Sequence, residues 1–293
     1  MSLKDLGLIL IVVFIWGTNF VAIRWGLDEM PPLFFTALRF CMVAFPAIFF
    51  IKPPNLAWWK TLAVGLFVCT GQFGLLFLAI ELGLRAGLAS LLMQIQVLFT
   101  IILSFTIFKE RLVITQFFGI LIAFTGFAIF YVLRAEGGLP IMPLILALLA
   151  AFSWSCGNMI YKIAGDANRF HLTIYAALVP IIPMLLLSLT FEHSNVFSLI
   201  GGITTKGWLS LAYNAYLSTI VAYGLWASLL GRFPAGIITP FALLIPIFGM
   251  LSAWVLLGET ITGYETLASL LIGFGILISV LGGRILRHLR KIT

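Results

Sequence analysis

Charge is what this chain of 293 residues has least of. Only 9% of its residues are charged, where a soluble domain carries about 25%. With 62% hydrophobic residues and a mean hydropathy of +1.17, a water-solvated globule is excluded and lipid is the expected solvent. Ten acids and three histidines all fall at or near the expected helix ends, with His171 and His193 at opposite faces and His288 in the tail, and form no catalytic or metal-binding constellation. No metal site and no enzymatic function are therefore expected. Cys41, Cys69 and Cys156 are odd in number and each lies within an apolar run, which excludes a disulfide framework and a zinc site and leaves three small packing residues. A G-x-x-x-x-G-K-[ST] phosphate loop is absent, so this chain does not hydrolyse ATP and no cofactor is expected. Outside a short C-terminal tail, the net charge of +7 comes from singly scattered bases without interleaved aromatics. That excludes a nucleic-acid interface.

Long apolar runs are what the chain has in abundance. A helix needs ~20 apolar residues to cross ~30 Å of hydrocarbon. Ten such segments are read, near 6–24, 31–51, 61–81, 86–108, 113–133, 140–161, 172–191, 208–230, 234–257 and 264–283. Pro31-Pro32, Pro53-Pro54 and Gly137-Gly138 punctuate their boundaries, and Thr262-x-x-Glu265 reads as a capping box for the last. The expected fold class is all-α integral membrane, with ten transmembrane helices. Placing the N-terminus in the cytoplasm puts Lys4, Lys52, Lys60, Lys109, Arg111, Lys162, Arg169, Arg232, Arg284, Arg287, Arg290 and Lys291 inside, and only Arg24, Arg85, Arg134 and Lys206 outside. That bias puts both termini in the cytoplasm, with a short basic tail at 284–293 that meets anionic headgroups.

The chain also repeats itself. Sliding it by 149 residues matches Ala86-Gly87 to Ala235-Gly236, Phe99 to Phe248, Glu110 to Glu259 and Gly126 to Gly275, and a weaker match at 139 pairs Asn19 with Asn158. Two five-helix repeats follow, 1–136 and 137–293, and an odd helix number inverts the second. Such 5+5 inverted-topology repeats are an architecture of secondary transporters, with a central site and two alternating states.

Trp16-Gly-x-Asn19, Arg39-Phe40, Ala86-Gly87, the Phe-Lys-Glu110-Arg-Leu turn before Gly119 and Gly126, and Leu-Gly-Glu259-Thr before Gly273 and Gly275 resemble the EamA-type ten-span members of the drug/metabolite transporter superfamily. Met30-Pro-Pro-Leu33, Val43 to Phe50, Ala151 to Asn158, Pro180-Ile-Ile-Pro183 and Leu229-Leu-Gly-Arg232 resemble the bacterial branch that exports O-acetylserine and cysteine. The resemblance covers the whole chain. It implies efflux of cysteine-pathway metabolites through the inner membrane; other amino acids or drugs are the alternative cargo within the same superfamily.

The solute-facing candidates are the polar and aromatic residues inside the spans. Trp16 and Asn19 share one helical face, as do Trp154, Asn158 and Tyr161. Tyr216, Thr219, Tyr223 and Trp226 form a stripe in the eighth span, and Gln72 and Gln94 add amides. Gln94 and Gln96 lie about 200° apart on an α-helix, so only one is expected at a single cavity. Arg39, deep in the second span, is read either as a carboxylate ligand or as a partner of an acid such as Glu81, or as snorkelling outward. Glu110 and Glu259 are expected to meet the N-terminus of the helix that follows each. Pro240 and Pro246 are read as hinge points of the ninth span. The partners are a small polar or amphipathic solute and the bilayer, while the sequence sets no oligomeric state. No acid or histidine sits mid-span as a proton carrier, so facilitated efflux is as compatible as proton coupling.

Overall fold

Every secondary-structure element among the described residues is helical. The computed structural model describes 2–110, 112–135, 141–165, 168–192, 196–233, 235–260 and 262–289. In chain order the helices are α1 (Leu3–Leu27), α2 (Pro32–Ile48), α3 (Trp58–Glu81), α4 (Ala86–Phe108), α5 (Ile114–Ala135), α6 (Met142–Ile163) and α7 (Arg169–Phe191). They are followed by α8 (Thr205–Ala212, Tyr213–Val221 and Ala222–Arg232), α9 (Ala235–Ile238, Thr239–Leu244 and Ile245–Leu257) and α10 (Gly263–Leu289). Five of them, α1, α3, α4, α6 and α7, are long and apolar enough to cross a bilayer; Pro32–Ile48, Ile114–Ile129, Phe241–Leu257 and Thr266–Gly282 are shorter apolar helices. The basic C-terminal stretch is not a separate tail as far as Leu289, because α10 runs through it. Glu265, half of the expected capping box, has its side chain outside the described residues. The capping box that is present joins Ser2 to Asp5 at the start of α1.

Local backbone features recur 149 residues apart. Gly65–Gln72 in α3 and Tyr213–Val221 in α8 are π-helical. In each, a threonine hydroxyl donates five residues back, Thr70 to the Gly65 carbonyl and Thr219 to the Asn214 carbonyl, both at 2.9 Å. That satisfies an oxygen on the wider turn, whose own bonds run i to i+5. Tight 3₁₀ turns follow at Met93–Ile95 in α4 and Thr239–Leu244 in α9. The next helical stretches end in left-handed residues, Lys109 (φ 54°) and Gly258 (φ 67°), whose N–H groups reach back to the Ser104 and Ala253 carbonyls. Packing follows the same correspondence: α1 lies against α8 and α9, and α6 lies against α3 and α4.

Charged side chains gather at the two ends of this bundle. At one end Arg232 pairs with Asp5 at 2.8 Å, Lys162 pairs with Glu110, and Lys60 donates to the Ile163 carbonyl. At the other, Asp28 holds Arg24 and Lys206, and Glu29 accepts from the Thr204 hydroxyl and N–H at 2.6 and 2.8 Å. The Thr204 hydroxyl is the main cause of a Glu29 pKa below the ordinary carboxylate value. Glu192 of the α7 end caps α2, accepting from the Leu33 and Phe34 N–H groups at 2.6 and 3.2 Å. A carboxylate is favoured there because those N–H groups have no intrahelical acceptor and carry the positive end of the dipole.

The most extensive helix pair is α5 with α10. Without a hydrophobic driving force in lipid, such pairs rely on close backbone approach over small residues. A Cβ on Gly275 would stand 2.5 Å from both the Ala123 nitrogen and the Gly119 carbonyl oxygen, whereas one on Gly273 meets nothing within 4 Å. Gly275→Ala is therefore expected to cost about 1–3 kcal/mol through forced separation of the backbones, and Gly273→Ala to be neutral or slightly stabilising. Thermal unfolding of the two purified variants in detergent checks the contrast; equal midpoints would refute it.

Candidate solute cavity

The two π segments and the two 3₁₀ turns border one cavity of about 500 Å³, within the range of small-molecule sites. Residues of α1, α3, α4, α6, α8 and α9 form most of its wall, with Ser279 and Val280 of α10. Its lining extends to Gln116 at the start of α5, Arg169 and Phe170 at the start of α7, and Leu230 near the end of α8. It thus runs out toward the end where Asp5 meets Arg232. At the opposite end Glu259 accepts from the Ala86 and Gly87 N–H groups at 2.7 and 3.0 Å, and Arg85 donates to the Thr260 carbonyl.

Of the residues expected at the site, Trp16, Asn19, Gln72, Gln94, Trp154, Asn158, Tyr223 and Trp226 line this cavity. Trp16 anchors an aromatic wall, its ring centroid 5.1 Å from Tyr223 and 5.2 Å from Trp226. Its indole N–H donates to the Ser218 carbonyl at 3.0 Å. Gln94 donates to the Ala242 carbonyl at 3.1 Å, tying the 3₁₀ turn of α4 to that of α9. No Asp, Glu, Lys or His lines the cavity among the described residues.

Two expected residues stand elsewhere. Tyr216 is 38% exposed on the outer surface of the bundle and is not part of the lining. The π segment explains this. Its wider turn takes about one more residue than an α turn, so the α-helical stripe that would align Tyr216 with Tyr223 is broken between them. Arg39 is 1% exposed and lies behind the wall, its guanidinium stacked 3.8 Å above the Phe73 ring, with Phe40 and Phe77 further off. One N–H reaches Thr219 Oγ1 at 3.0 Å, but Nε and Nη1 have no partner. It neither snorkels nor meets Glu81, which faces Arg24 at 4.0 Å. An unpaired buried charge costs several kcal/mol, and a desolvated cation–π stack returns only about 2.

The expectations for Gln96, Glu259 and Glu110 need correction. Gln94 and Gln96 both line the cavity, because the 3₁₀ turn at Met93–Ile95 advances about 120° per residue and narrows their angular separation. Glu259 caps α4 of the other half, not the helix that follows it. The left-handed turn at Gly258 sends the carboxylate back across α9 to the neighbour that α9 packs against. Glu110 likewise meets Lys162. Pro246 is buried in the first turn of Ile245–Leu257, where its missing N–H costs nothing. Pro240 has a side chain outside the described residues, though its backbone lies in the 3₁₀ turn. Thr100 and Ser218 line the cavity without having been singled out. Thr100 was findable, being one helical turn from Gln96; Ser218 was not, because its direction depends on the π segment.

Asn19 and Asn158 occupy corresponding positions and are used differently. Asn158 donates to Gln96 Oε1 at 2.9 Å and Thr100 Oγ1 at 3.1 Å. The residues 149 further on from those acceptors are Ile245 and Gly249, which offer Asn19 no side-chain oxygen or nitrogen. Asn19 Oδ1 is accordingly unpartnered, as is Gln72 Oε1, although both side chains are buried.

The EamA-like transporter family matches this chain over residues 4–132 and 141–281. The chain belongs to that family. This transporter is 43% identical to a "probable amino-acid metabolite efflux pump" of Salmonella typhimurium, covering 99% of each chain. It is also 43% identical to a protein of the same description from Escherichia coli K12, covering 97% of each. An "uncharacterized transporter" of Archaeoglobus fulgidus is 27% identical over 94% of this chain and 98% of its own. A crystal structure superposes with a TM-score of 0.66 at 20% identity, covering 98% of this chain and 99% of the other, so the fold is shared.

The amide contrast is testable on the transporter itself. Asn158→Leu is expected to lower stability by about 1–2 kcal/mol, because an interhelical bond is lost and Gln96 Oε1 loses that donor. Asn19→Leu is expected to leave the unfolding temperature unchanged and to slow solute flux instead. Reversal of the two effects in thermal unfolding and liposome transport would contradict these assignments.

Proposed function

We propose that this transporter exports small amino-acid metabolites, of the O-acetylserine and cysteine kind, from the cytoplasm across a bacterial inner membrane. The observation that carries the reading is the cavity itself: an amide- and indole-lined chamber with no acid among its described lining residues, built from corresponding helices of the two halves. An amphipathic zwitterion suits such walls, with amide oxygens for its ammonium group and rings for its carbon skeleton. The efflux-pump relatives support the direction and the cargo class. The drug alternative draws on the same aromatic wall, which also suits a larger cation.

The route is alternating access between two inverted repeats, 1–136 and 137–293, which cross the bilayer ten times with both termini in the cytoplasm. The recurrence of π segments, 3₁₀ turns and left-handed caps at one spacing supports the duplication, and the sorting of ion pairs to two ends supports the crossings. In this reading the cavity faces the cytoplasm. Glu259 clasps the far end shut, while Glu110, its counterpart, is held off by Lys162. In the opposite state Glu110 would take the N-terminus at Ala235 and Gly236, and the turn at Pro240 and Pro246 in α9 would flex.

Counterflow of labelled O-acetylserine or cysteine into liposomes containing the purified protein tests the cargo. Saturable exchange is expected with one or both. Robust exchange of a different solute, with neither of these carried, would overturn the named cargo. The clasp is tested separately. In a background with the three native cysteines replaced by Ala, a cysteine introduced at Ser90 is expected to be labelled from the far side on the order of threefold to tenfold faster when Glu259→Gln removes the charge at the helix end. Unchanged labelling would remove Glu259 from the gate.

A further inference from the structure

Arg39 is the charged side chain that departs from the arrangement of the others. The remaining charged groups of the described residues lie at helix ends, and Glu81, an acid within reach of its end of the bundle, faces Arg24. Arg39 stands mid-helix in α2, with Nε and Nη1 unpartnered among apolar neighbours. Its contact with Thr219 is already complete: that hydroxyl gives its own hydrogen to the Asn214 carbonyl and accepts from Nη2. The remaining donors form a planar fork matched to a carboxylate.

The cavity lies one ring thickness away. Phe73, on which the guanidinium stacks, lines it, and so do Gln72 and Ser218, chain neighbours of Phe73 and Thr219. Two buried amide oxygens of lining residues are bare, Gln72 Oε1 beside Phe73 and Asn19 Oδ1 on α1. The site therefore holds unused acceptors buried within its wall and unused charged donors behind Phe73, and an α-amino acid carries the complement of both, an ammonium and a carboxylate two bonds apart. Phe73 is the first residue after the π segment of α3, a backbone irregularity that recurs at functional sites.

We propose that Arg39 is the carboxylate anchor of the transported solute, reached when the Phe73 ring swings aside. This inference rests on the cargo reading above. It adds that the carboxylate is obligatory and that solutes carrying only positive charge are rejected. A neutral carboxamide keeps the carbonyl oxygen but loses the charge that strengthens the hydrogen bonds.

The experiment is competition with labelled O-acetylserine counterflow by unlabelled O-acetylserine or its carboxamide, which keeps the ammonium and acetyl groups. In the native protein the acid is expected to compete about tenfold better or more. Arg39→Gln is expected to bring the two within about twofold, a change of ratio that a merely structural role would not produce. Should Arg39→Gln fail to fold, Phe73→Leu reports instead: removing the ring is expected to improve competition by the acid and leave the amide unchanged. Equal competition by acid and amide in the native protein, an unchanged ratio in folded Arg39→Gln, or a Phe73→Leu effect equal on both would overturn the inference and leave the cargo class standing. Exchange of some other solute with neither acid nor amide competing would overturn both.

Discussion

Hydrocarbon offers no hydrogen bonds, so every polar group inside this bundle must find its partner in protein, in a water-filled cavity or in a solute. That constraint organises the molecule. It sends charges to the two ends, where Asp5, Asp28, Glu29 and Glu110 meet bases or hydroxyls. It places carboxylates of one helix on the bare N–H groups of another, Glu192 on α2 and Glu259 on α4. It also explains the threonines of the π segments, which occupy carbonyls that a wider turn leaves exposed.

Against so complete a pattern of pairing, the exceptions gain meaning. Asn19 Oδ1, Gln72 Oε1 and two nitrogens of Arg39 are buried and unpartnered, and they cluster at or just behind one cavity. Other amides of the same wall are satisfied, Asn158 by Gln96 and Thr100 and Gln94 by the Ala242 carbonyl, while away from the cavity Asn214 Oδ1 and Thr115 Oγ1 are also bare. A stable fold does not need the first set left bare. A carrier does, because a solute must replace water at those atoms and then leave again.

The inequality of corresponding residues carries a second lesson. Glu259 holds a helix terminus while Glu110 holds a lysine, and Asn158 bridges two helices while Asn19 bridges none. Corresponding residues can differ in this way when their surroundings differ or when the side chains opposite them have diverged. The glutamates are chemically identical and differ in what they face, whereas Asn158 meets Gln96 and Thr100 and the residues 149 further on, Ile245 and Gly249, carry no polar side chain.

The sequence by itself determined the helical class, the lipid environment, the family and most of the cavity wall. Apolar length and helical periodicity are local properties, readable at Trp16 and Asn19 or at Trp154 and Asn158 without knowing the neighbours. Only the tertiary structure decided which polar groups are spent on helix contacts and which remain free. Tyr216 left the wall because a π segment rotated it away, Gln96 joined because a 3₁₀ turn brought it round, and Arg39 proved to lie behind Phe73 rather than beside Glu81. Each depends on backbone irregularity or on partners far away in the chain, and neither follows from spacing. Charge is scarce in this chain because lipid penalises it, and the fold determines where Arg39, buried in mid-helix, can act.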